Sequence, residues 1–123
     1  SALTTPPLPP ANRSIPKLER TVEQLTTQYP IPHEAKLAVV AALTPQTEVP
    51  QADDYRFYLR TKGYTVLDPA AYSQADFLIE FIEVPHFDWQ KWSTWEIEQF
   101  GAKKLMYQTF QGNIDIIVFE KRR

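Results

Sequence analysis

Prolines set the limits on what this chain can fold into, because each one fixes φ, lacks an N–H and pushes the preceding residue out of the helical region. Five of the 11 lie in the first 16 residues, at Pro6, Pro7, Pro9, Pro10 and Pro16, with threonine and asparagine around them and almost nothing apolar to bury. Residues 1–16 therefore read as a flexible arm. Polyproline II makes such a segment a semi-rigid spacer, and the run at residues 6–10 could also serve as a ligand for an aromatic groove.

Residues 17–123 have the length of one domain with one core. Hydrophobic residues at 43% and charged residues at 23% are ordinary globular usage, too apolar for a wholly disordered chain. A formal charge of -2 gives no global field to draw the protein onto nucleic acid or an anionic bilayer. The longest apolar stretch, residues 37–43, is about a strand long and well short of the roughly 20 residues that span a bilayer. No cysteine is present, so no disulfide, thiolate nucleophile or cysteine metal site can form, and the redox compartment stays open. The sequence begins at Ser1 and Ala2 without methionine or a basic, apolar signal segment, as a processed or truncated chain would.

The spacing of Leu18, Val22, Leu25 and Tyr29 predicts a helix beginning near Ser14 and stopped by Pro30 and Pro32. Residues 35–43 read as a central strand, with a buried helix as the competing reading because of the alanines. A second helix is expected over residues 50–63, with Asp53 and Asp54 in its first turn, Arg60 and Lys62 in its last and Gly63 as its cap. Its inward stripe is Ala52, Tyr55, Tyr58 and Leu59, and residues 64–67 lead out as a short strand. Residues 75–84 alternate as a strand with Phe77, Ile79 and Phe81 on one face and Leu78, Glu80 and Ile82 on the other. Three further runs, at 92–100, 105–110 and 114–119, predict a β-meander, with Gly112-Asn113 as a two-residue hairpin turn. The expectation is an α+β fold: a two-layer sandwich, two helices on a mainly antiparallel sheet of about five or six strands.

The search for reaction chemistry returns little. The only histidines, His33 and His86, lie far apart, and His86 with Asp88 falls short of the three or four protein ligands of a zinc site. Ser1, Ser14, Ser73 and Ser93 sit in no nucleophile elbow, and Gly63, Gly101 and Gly112 are too dispersed to cradle phosphate. Carboxylate pairs occur at Asp53 and Asp54, Glu80 and Glu83, and Glu96 and Glu98. The aspartates complement a helix dipole and Glu96 and Glu98 fit the solvated face of a strand, which leaves Glu80 and Glu83 as the pair a small hydrolase would use. No cofactor or metal is called for, and the reading is a non-enzymatic one.

Two features suggest contact with a partner. Phe87, Trp89, Trp92, Trp95 and Phe100 crowd one segment, with Trp95 and Phe100 read as core and Trp89 and Trp92 as either core or hot spots on a loop. A Gly112-Asn113 turn would also set residue 104 opposite 121 and 103 opposite 122. Lys103, Lys104, Lys121 and Arg122 then converge at the open end of the hairpin, a wet surface or a site for an acidic partner, nucleic acid or lipid head groups.

From Arg20 to Asp68 the chain resembles TrbH-type conjugal transfer proteins, small lipoproteins of bacterial type IV secretion and conjugation systems. The resemblance rests on residues 21–30 (TVEQLTTQYP), an extended segment after them, and residues 58–66 (YLRTKGYTV). It implies a periplasmic domain held off an outer-membrane anchor by the proline arm and docked on another protein of the secretion assembly. The family's lipid-bearing cysteine is absent from this sequence.

Overall fold

A computed structural model describes residues 15–45 and 52–123. Most of the proline arm, the Ser14 start and the Pro50 start lie outside the described residues. Helix α1 (Ile15–Gln28) buries Leu18, Val22 and Leu25 of the expected stripe, with Thr21 beside them, while Tyr29 lies just past its end and is half-buried. Strand β1 (Lys36–Ala42) is a strand, as read, and is buried on both faces from Leu37 onward. Helix α2 (Asp53–Thr61) carries Asp53 and Asp54 in its first turn, and Gly63 beyond its end takes φ +89°. A side chain at that angle would be strained, so glycine ends the helix here.

Strand β2 (Thr65–Val66) is short, and a 3₁₀ turn (Pro69–Gln74) leads to β3 (Phe77–Ile82). A second 3₁₀ turn (Trp89–Lys91) precedes helix α3 (Trp95–Phe100), and the hairpin β4 (Lys103–Gln111) and β5 (Ile114–Lys121) closes the described chain.

The fold is α+β around one open five-stranded sheet in the order β2-β1-β3-β5-β4. β1 runs parallel to β2 and β3, while β5 runs antiparallel to β3 and β4, so the sheet is mixed. Each face carries its own apolar cluster. On the first, α1 and α2 set Val22, Leu25, Tyr55 and Leu59 against Val39, Ile79, Phe81 and Ile116. On the second, α3 and the 3₁₀ turns set Tyr72, Trp92, Ile97 and Phe100 against Val40, Leu78, Ile82 and Ile117. The second layer is thin, but it covers the face that a two-layer reading leaves bare.

Two local expectations need correction. Residues 95–100 are a helix, so the predicted three-strand meander is a two-strand hairpin. Thr94 caps that helix, its Oγ1 accepting the Ile97 N–H at 3.2 Å, with Glu96 and Glu98 in the first turn and Gly101 at φ +93° after the end. Ile97 and Phe100, three positions apart, share a face only in a helix, and the caps fix the ends of this six-residue element. Glu96 and Glu98 therefore complement a helix dipole and do not share a strand face. The hairpin turn itself is as expected, Gly112 and Asn113 both having positive φ. The second correction is one of register: a bulge between Leu105 and Tyr107 shifts the ladder by one residue, placing Lys103 opposite Lys121 and Lys104 opposite Glu120.

Candidate functional site

The sheet has two edges, and the chain treats them differently. At the β2 edge the short strand pairs only with Lys36 and Leu37, so among the described residues the rest of β1 has no strand on that side, and buried side chains seal the gap. Tyr72 donates its hydroxyl to the Val39 carbonyl at 2.6 Å, and Arg56 Nε donates to the same hydroxyl at 3.0 Å. Arg56 is itself buried and held by Asp53 at 2.6 Å, while Arg60 Nη2 donates to the Val66 carbonyl at 2.8 Å. The polar cost of an exposed strand edge is met within the protein on this side.

At the opposite edge β4 is nine residues long, and none of its residues is fully buried. Its first face meets α1, where Tyr107 stacks on Tyr29 at 5.3 Å and donates its hydroxyl to Gln28 Oε1 at 2.5 Å. Its second face and its outer rim are open. Leu105, Met106 and Phe110 are exposed, Phe110 by 61%. Only the bulge and the lysine pair at its start act as the guards such edges carry, and residues 107–111 hold no charge and no proline. Beside Phe110 lies a cleft of about 500 Å³ lined also by Glu83, His86, Asn113 and Asp115. Asp115 takes a hydrogen bond from Gln108 at 3.2 Å, and burial raises its pKa.

Trp92 is buried at 7% exposure and packs edge-on against Phe87, so it belongs to the core and not to an interface. Trp89 is half-buried against Phe119. Trp95, read as core, is 55% exposed on the first turn of α3, and Phe100 is core as expected. The basic cluster does not assemble on one surface. Lys103 and Lys121 share one face, Lys103 over the Phe119 ring and Lys121 over Phe100 while donating to the Ser73 carbonyl. Desolvation by burial lowers the pKa of Lys121. Lys104 faces Glu120, Arg122 is exposed beyond the strand with its N–H on the Ala102 carbonyl, and Arg123 pairs with Asp76.

Glu80 and Glu83 diverge. Three positions apart, Glu80 on β3 and Glu83 just past its end, they point to opposite faces of the sheet, so they form no pair across a shared cleft. Glu83 accepts the Tyr55 hydroxyl at 2.5 Å on the α2 side. Glu80 lies between Val40 and Ile117 on the α3 side, completely buried, and among the described residues neither of its carboxyl oxygens has a hydrogen-bond partner. Desolvation by burial pushes its pKa up to about 8, with Lys103 opposing the rise. His33 stacks on Tyr64 near the Lys62 carbonyl, and among the described residues no three histidine or acidic side chains group as a metal site would.

The feature that sequence reasoning missed is the open β4 edge. The alternation over residues 105–110 marks a strand, yet nothing in it says which strand ends the sheet. Comparison of the chain with protein-family models, with curated proteins and with solved structures found no match.

Proposed function

We propose that this domain is a non-enzymatic protein-interaction module of a bacterial cell-envelope assembly, an accessory component of the type IV secretion and conjugation class that residues 20–68 resemble. It works in the periplasm and makes its contact along β4, where a partner strand extends the sheet. Strand addition draws affinity from backbone hydrogen bonds and specificity from the side chains that flank them. The observation supporting this is the contrast between the edges: Tyr72 and Arg56 close one, while β4 presents an open rim at the other, with Leu105, Met106 and Phe110 exposed and no charge after its two opening lysines. An exposed edge of this kind is an aggregation hazard unless something covers it.

The test is capture of a secretion-channel protein by the wild-type domain and by Gln108→Pro. Proline at this rim position removes an outward N–H and keeps the β4–β5 ladder. Capture is expected to disappear while thermal stability holds. A channel protein retained equally by both would show that the contact lies elsewhere.

A further inference from the structure

We infer that the strand which fits β4 is β4 of a second copy of this chain, paired antiparallel about a two-fold axis. The inference rests on the reading of β4 as a contact edge and names what occupies that edge in the absence of the partner.

Which backbone groups face outward follows from the ladder. The closing pair of a two-residue hairpin is hydrogen bonded, and bonded pairs alternate along an antiparallel ladder. Gln111, Thr109 and Tyr107, opposite Ile114, Ile116 and Val118, therefore turn inward to β5, and Gln108 and Phe110 turn outward. Beyond the bulge a second anchor applies: the Arg122 N–H donates to the Ala102 carbonyl at 2.9 Å, so residue 102 faces β5. By alternation Lys104 also faces β5, and Lys103 and Leu105 turn outward. The Lys121 N–H, bonded on the opposite side to Asp76, agrees with this alternation.

The outward residues are thus 103, 105, 108 and 110, and this set is its own complement when the strand is reversed. Lys103 meets Phe110 of the second copy, and Leu105 meets Gln108 of the second copy, with Met106 and Tyr107 straddling the axis. The faces agree as well. Lys103, Leu105, Gln108 and Phe110 stand opposite Lys121, Phe119, Ile117 and Asp115 on β5 and share the α3 side of the sheet. A two-fold axis normal to the sheet keeps that side in common. The bulge, which would spoil the pairing of a straight strand, falls on the axis in both copies.

Charge and apolar contact favour the same register. A parallel pairing would stack Lys103 on Lys103 and Lys104 on Lys104, whereas the reversed one sets Lys103 against an exposed aromatic ring with Asp115 next along the same row. Leu105 and Phe110, both exposed, become diagonal neighbours across the new ladder. The contact is one strand wide and well below the roughly 1,200 Å² of tight complexes, so association is concentration-dependent.

Sedimentation equilibrium of the full chain up to about 1 mM, where even a weak dimer is populated, tests this with three variants. The wild type is expected to approach twice its 14.3 kDa mass. Phe110→Lys, which sets a lysine against Lys103, is expected to weaken the dimer by about tenfold or more. Gln108→Pro should do the same, and Phe110→Glu, which pairs with Lys103, should dimerise at least as well as the wild type. Circular dichroism of each variant shows that the fold is intact. A wild type that stays monomeric, or a dimer indifferent to both Phe110→Lys and Gln108→Pro, overturns the inference. A monomeric wild type whose capture of a channel protein is still lost in Gln108→Pro would defeat self-pairing and leave β4 as the partner edge. A dimer of the expected variant pattern, with capture unchanged, would uphold self-pairing and remove the partner from this edge.

Discussion

Glu80 offers the sharpest test of the packing described here, because one buried carboxyl couples stability to pH over a wide range. In the unfolded chain the group titrates near 4.5, and in the folded one near 8. Below pH 4.5 both states hold the proton, and its contribution to stability is fully present. Between 4.5 and about 8 the unfolded chain has released a proton that the folded one keeps, so stability falls as pH rises and the contribution is gone above about 8. Each pH unit in that window removes about 1.4 kcal/mol, and the whole window about 4–5 kcal/mol. That is a large share of the roughly 5–15 kcal/mol that stabilises a typical domain.

The assay is urea unfolding at half-unit steps from pH 5 to 9, for the wild type and Glu80→Gln. Glutamine keeps the size and polarity but does not titrate. The difference between the two stability curves isolates Glu80, because Asp115, whose raised pKa acts in the same direction, and Lys121, whose lowered pKa acts in the opposite one, are common to both. The curves should separate steadily up to about pH 8 and run parallel beyond it. Parallel curves across the whole range would refute the reasoning. Glu80→Leu, which removes the unpartnered carboxyl, should gain about 3 kcal/mol or more at neutral pH, the protonation cost accrued between pH 4.5 and 7.

Two further outcomes follow from the corrected placements. Trp92→Ala should cost about 3–5 kcal/mol in chemical denaturation, since it empties a core position, while Trp95→Ala on the exposed turn of α3 should stay within about 0.5 kcal/mol. Tyr72→Phe leaves Arg56 Nε without its acceptor and the Val39 carbonyl with only the long 3.5 Å bond from Arg56 Nη2, and should cost about 1–3 kcal/mol by the same measurement, where a neutral result would show the edge to be closed by other means.

What could be read from residue order alone was local. The α1 stripe and its Tyr-Pro stop, the α2 charges and Gly63, the alternation of β3 and the Gly112-Asn113 turn each depend on neighbours within a few positions, where period and φ preference act directly. Even α3 had its signals in order, with Thr94, Glu96, Glu98 and Gly101 marking a helix whose six residues were too few for periodicity to separate from a strand. Tertiary packing decided everything that depends on distant partners. The bulge moved Lys104 from Lys121 to Glu120, the second helical layer buried Trp92 and closed over Glu80, and the strand order left β4 at the rim. An alternating run specifies that a strand has two faces. Which face meets a helix, and which edge meets nothing, is fixed only by the competition among all elements to bury apolar surface at once, a long-range choice to which no local spacing is sensitive.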